Sequence, residues 1–145
     1  VARRVFGVLG PVEAVMTMAA FFATFLAAGW RPGAPFPTGS VALSASGAAF
    51  AAVVFAQTAN AFACRSTTHW PGAIGWFSNR LLVIAATVEL VLAMAMLLIP
   101  FIARIFEHAP PPLAGWAVAL LAAPAVLAAD ALQKTIRRRS ARSPL

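Results

Sequence analysis

Three observations predict an all-α membrane protein with four transmembrane helices. Of the 145 residues, 61% are hydrophobic and only 10% are charged, and the mean hydropathy is +0.85. Soluble domains carry about 25% charged residues. The apolar residues gather into four runs, each long enough to cross a hydrocarbon core of about 30 Å. The basic residues stand at the ends of these runs rather than along a stripe, which is how membrane topology is encoded. The net charge of +7 therefore points to no nucleic-acid partner, and lipid is the expected surrounding.

The chain reads as a single membrane domain over 1–145. The first span covers about 5–28 and ends at Gly29-Trp30-Arg31-Pro32, an interfacial Trp followed by helix breakers. After a Pro/Gly loop the second span runs over 41–63, with Gly47, Ser44 and Ser46 favouring close helix packing. The loop from Cys64 to Asn79 carries Trp70, Trp76 and Phe77, aromatics suited to headgroup level. A third span covers 81–102, with Pro100 near its end, and His108 to Pro112 makes a second turn. The fourth span, 113–133, contains Pro124, and a basic tail expected to be disordered follows over 134–145.

In this arrangement Arg3, Arg4, Arg65, Arg80, Lys134, Arg137, Arg138, Arg139 and Arg142 share one side, against Arg31 and Arg104 on the other. The excess places both termini in the cytoplasm. An Arg- and Ala-rich composition suggests GC-rich bacterial coding, hence a bacterial plasma membrane.

Few residues are able to carry chemistry. Gln57 and Asn60 stand three apart, so they share one helix face. Two readings remain open: amides bonding one helix to another, or a pair of carbonyl oxygens facing an ion path. Val54 is read as a residue facing outward from that pair. Glu13 lies in the first span on a stripe of small and polar residues (Gly10, Thr17, Ala20, Thr24). It is either shallow, within reach of Arg3 and Arg4, or part of an ion pathway. Glu89 stands deeper, on the third span, as a bonded neutral acid or an ion- or proton-handling group. Asp130 is accounted for by its i,i+4 pair with Lys134. His69 and His108 read as solvated loop residues. No phosphate-binding Gly loop, Ser/His/Asp set or carboxylate dyad is legible, so this chain shows no catalytic apparatus and no bound cofactor of its own.

Taken in order, several stretches resemble the C-terminal membrane region of P-type cation ATPases, its seventh to tenth spans. Gln57-Thr58-Ala59-Asn60 is similar to an eighth-span Q-x-x-N/D pattern found in plasma-membrane calcium pumps and, with Asp, in sodium–potassium pumps. Gly75-Trp76-Phe77-Ser78-Asn79-Arg80-Leu81 resembles the start of the ninth span. Pro124 with Asp130-Ala131-Leu132-Gln133-Lys134 resembles the tenth, and Arg3-Arg4-Val5-Phe6-Gly7 the start of the seventh.

The resemblance implies that Gln57 and Asn60 are cation ligands and that Glu89 is tied to an ion or to protons. Gln57 stands where reticulum-type calcium pumps have Glu, and Glu13 has no counterpart in the pattern. It further implies a calcium-pump-like protein whose upstream helices and cytoplasmic domains supply the rest of the ion site, with ATP and magnesium used by the full-length pump. The missing phosphorylation and nucleotide domains, with the non-Met start, lead to the expectation of a fragment. The alternatives are a freestanding four-helix exporter of the small multidrug-resistance type, with Glu13 as its membrane carboxylate, or a membrane scaffold without transport.

Overall fold

The computed structural model describes the backbone of residues 5–140 and the side chains of residues 7–139. Arg3, Arg4 and Arg142 of the charge pattern lie outside them, as does the tail beyond Ser140. All regular structure among the described residues is helical. Four helices are long and apolar enough to cross a membrane: Gly7–Ala27, Ser40–Ala63, Arg80–Leu98 and Leu113–Arg139.

A π-helical turn, Val5–Leu9, leads without a break into α1 (Gly10–Ala27), with Pro11 at its second residue. Phe22 and Phe36 both stack on Trp30, at 5.8 Å and 5.5 Å, so the following loop folds back onto α1. The Trp30 Nε1–H donates to the Ala34 and Pro35 carbonyls of that loop. Next comes α2 (Ser40–Ala63), whose buried Ala45, Ala48, Ala52, Ala56, Ala59 and Ala63 follow i+3/i+4 steps. This stripe of small side chains lets α1 and α6 (Leu113–Ser140) approach closely. Together α1, α2 and α6 form most of the core, with Ala20, Ala119, Ala122 and Val126 among its buried members, joined by Leu9 from the π-helical turn and by Leu97 from the third span.

Glycine sets two of the closest approaches. At Gly115 a Cβ would stand 2.6 Å from Thr24 Oγ1 and 3.0 Å from the Ala48 Cβ, so all three core helices meet there. At Gly47 a Cβ would collide with the carbonyl oxygen of Ala109, in the loop before α6. That loop is pinned by Ala109 N–H donating to the Leu43 carbonyl at 3.0 Å. The close packing expected of Gly47 is thus made with this loop and with Leu97 of the third span, whose Cδ2 lies 3.2 Å from the Cβ position.

A short helix, α3 (Pro71–Ile74), interrupts the loop after α2. Arg65 ties this loop together by donating to the Gly75 carbonyl at 2.9 Å and to the Ser78 hydroxyl. Asn79 then caps α4 (Arg80–Leu98), its side-chain oxygen accepting from Leu82 N–H at 3.1 Å. Only Ala86, Ala93 and Leu97 of α4 are buried. The helix lies against α2, at the edge of the three-helix bundle, and contributes Leu97 to the core.

Three expectations differ from the structure. The third span ends at Leu98, short of Ile102, because Ile99 precedes Pro100 and is held extended (φ −85°, ψ 112°). A separate helix, α5 (Pro100–Ile105), starts at that proline. The basic tail is helical as far as Ser140, since Lys134 and Arg138 bond the loop after α2 and so hold the last turns. Cationic side chains there also suit the negative end of the helix dipole. His108 is not a solvated loop residue: its Nδ1 lies 2.9 Å from Ser46 Oγ and its ring stacks on Phe50 at 5.1 Å.

Candidate functional site

Glu13 sits near the start of α1, one turn after the π-helical turn that leads into it. Across the α1–α2 boundary, Gln57 Nε2 donates to Glu13 Oε2 at 3.1 Å. One turn further along α2, Asn60 lies near the same carboxyl group. The Asn60 Oδ1 in turn accepts from Cys64 Sγ at 3.3 Å, a weak bond that leaves a lone pair on the amide oxygen. Gln57 stands six residues from the last residue of α2, or roughly 9 Å along its axis. The cluster therefore lies near the basic end of the bundle rather than at its centre.

Two features give this cluster chemistry beyond holding helices together. Glu13 Oε1 is buried and has no hydrogen-bond partner among the described residues. Gln57 is solvent-accessible, and its carbonyl oxygen makes no hydrogen bond there either. A carboxylate oxygen and an amide oxygen are thus left without a partner among the described residues, on two side chains joined by one hydrogen bond; oxygens of both kinds are donors that hard cations take. The Gln57 amide N–H does bond α2 to α1, as the helix-bonding reading expects.

Glu89 belongs to a different place. Its Oε2 accepts from Thr58 Oγ1 at 3.2 Å, and Thr58 also reaches the Val54 carbonyl at 2.9 Å. Glu89 is exposed on the side of α4 and borders an apolar groove of about 550 Å³ shared with Phe50, Val54, Leu92 and Met96. Neighbouring positions on α2 therefore serve two boundaries, Gln57 and Asn60 toward α1 and Thr58 toward α4. Val54 is a correction: it is 8% exposed and packed, and the outward-facing neighbour is Val53, at 39%. The helical step places consecutive residues on different faces, and the small-residue stripe of α2 takes Val54 with it.

Asp130 proves more deeply placed than its spacing suggests. It is 0% exposed, Lys134 is 4% exposed, and their charged atoms stand 2.5 Å apart. Lys134 Nζ also donates to the Ala63 carbonyl at 3.1 Å and the His69 carbonyl at 2.9 Å. One ammonium thus caps α2, fixes the following loop and neutralises a buried carboxylate. A lone Lys among the basic residues was the available sequence signal, because a compact ammonium with three donors serves three separate oxygens better than a planar guanidinium.

Among the described residues no group of three or more His, Cys, Asp and Glu side chains is arranged to hold a metal ion. A family model described as cation transporting ATPase, C-terminus, matches residues 1–136. No curated protein and no solved structure matches the chain.

Proposed function

Since the chain belongs to the cation-transporting ATPase C-terminal family and is the C-terminal transmembrane part of a P-type cation ATPase, we propose that Glu13, Gln57 and Asn60 line its cation path. Membership favours this over a small multidrug-type exporter, and it entails association with the other domains of a pump and with the transported cation. The observation that carries the site is the pair of unbonded oxygens, Glu13 Oε1 and Gln57 Oε1, on side chains already oriented by a mutual hydrogen bond. Gln57 presents its carbonyl to the cation, Glu13 supplies the local negative charge, and Asn60 orients the carboxyl and adds a second amide oxygen. Glu89, bonded to Thr58, is a separate proton- or ion-handling group on the α2–α4 boundary.

The cation is calcium or one of similar oxygen preference. The Gln57-Thr58-Ala59-Asn60 pattern supports a calcium-pump-like type, and two neutral amides mean that further charge comes from upstream helices. ATP and magnesium act on the cytoplasmic domains of the full-length pump. The distribution of charge supports cytoplasmic termini: Arg65, Arg80, Lys134 and Arg137 to Arg139 cluster at one end, with Arg31 and Arg104 at the other. The Arg- and Ala-rich composition supports a bacterial plasma membrane with lipid around the bundle, and no nucleic acid is engaged.

In the pump that carries this chain, Gln57→Ala should weaken cation-dependent phosphorylation by about 1–3 kcal/mol, the scale for removing a hydrogen-bond partner from a charged group. Val53→Ala, on the outward side, should leave it unchanged. Cation titration of phosphoenzyme formation measures both. Unchanged affinity in Gln57→Ala and Asn60→Ala alike would reduce the amides to packing groups.

A further inference from the structure

The last turns of α6 carry more positive charge than the bundle needs. Lys134, Arg137 and Arg138 share one face by their i, i+3, i+4 spacing, and with Thr67 and Thr68 they line a cavity of about 200 Å³. Arg139 lies off that face and is not part of the lining. Lys134 is engaged by Asp130 and two carbonyls, and Arg138 donates to the Thr68 carbonyl. Arg137 makes no hydrogen bond or ion pair among the described residues. Asp130 is the one carboxylate within this set, and Lys134 already neutralises it. Two guanidinium charges are left facing a small cavity beside the Thr67 hydroxyl.

The depth of this cavity identifies what it would meet. The 28 residues of α6 extend roughly 42 Å, whereas the hydrocarbon core is about 30 Å thick. Counted from Leu113, about twenty residues fill the core, which brings Lys134 to Arg138 out at the level of lipid phosphates. Leu132 and Ile136 are exposed on the opposite face of the same turns, so they form no part of the cavity. Exposed Trp70 and Phe77 in the adjoining loop suit the same interface.

From this arrangement we infer that the cavity at the end of α6 is a headgroup site for an anionic phospholipid. Arg137 binds the phosphate as a planar fork, Arg138 adds a second charged donor, and the Thr67 hydroxyl completes the set. Lys134 holds the floor in place without contacting the phosphate. The inference is independent of the cation site, because no residue is common to the two.

The test uses the chain in phosphatidylcholine nanodiscs containing a minor fraction of phosphatidylglycerol, with retained phosphatidylglycerol counted by native mass spectrometry. Arg137→Gln should lower retention about fivefold, and the double Arg137→Gln/Arg138→Gln change by more than tenfold, following the usual contribution of a basic residue near an anionic surface. Because Arg137 makes no hydrogen bond or ion pair among the described residues, its single substitution reads binding without disturbing the bundle they form. Arg139→Gln should leave retention near the wild-type value. Equal retention in wild type and Arg137→Gln would overturn the site. So would an equal loss in Arg139→Gln, which would mean diffuse attraction, or displacement of the lipid by millimolar inorganic phosphate, which would mean a free-anion site.

Discussion

Asp130→Ala should destabilise the bundle by about 3–5 kcal/mol, the cost of leaving one member of a buried ion pair uncompensated. The ammonium of Lys134 would then stay buried with two carbonyl oxygens but no counter-charge. The double change Asp130→Leu/Lys134→Met should recover more than half of that loss, because buried pairs exchange for apolar residues at little net cost. It would still lack the bonds to Ala63 and His69, so the loop after α2 should become more open to proteolysis than in the wild type. Denaturant unfolding in micelles, followed by Trp fluorescence, measures the stability terms. A single-mutant loss below about 1 kcal/mol would mean that the pair is solvated, as surface pairs are.

The second large effect is steric. Gly47→Leu forces a side chain against the Ala109 carbonyl and towards Leu97, whose Cδ2 already lies 3.2 Å from where a Cβ would stand. The backbone cannot yield without losing the Ala109–Leu43 hydrogen bond and moving the loop that carries His108 against Ser46. A destabilisation of about 3 kcal/mol is expected, at the upper end for overpacking. Gly7→Leu is the control, since nothing lies within 4 Å of its Cβ position. The same micellar unfolding measurement compares the two, and similar midpoints would refute the close approach at Gly47.

The four spans were legible because hydropathy, length and flanking charge all report one requirement, that every lipid-exposed backbone group be bonded within its own helix. The end of the third span was less so. Pro100 signals a break, but whether the helix bends through it or restarts depends on the residue before it, and Ile99 takes the extended option. The continuation of α6 through Ser140 was not legible, because a run of arginines reads as solvated tail until the loop carbonyls that hold it are known.

For the site, shared faces were readable and partners were not. Spacing placed Gln57 and Asn60 together, yet only the packing of α1 on α2 brings Glu13 to them. The same packing sends Glu89 to Thr58 instead. Asp130 followed its i,i+4 rule in pairing, while the burial that makes the pair structural comes from α2 and the loop beyond it.

The central claim is that Glu13 and Gln57 act on the cation as one unit. Its most direct measurement is a double-mutant cycle on cation affinity, read as cation-dependent phosphoenzyme formation in the full-length pump. Glu13→Gln and Gln57→Ala are made singly and together. The hydrogen-bonded pair predicts that both singles weaken affinity and that the double falls short of their sum by about 1–2 kcal/mol, the range for groups in one network. Wild-type affinity in both singles, or strict additivity in the double, would contradict it.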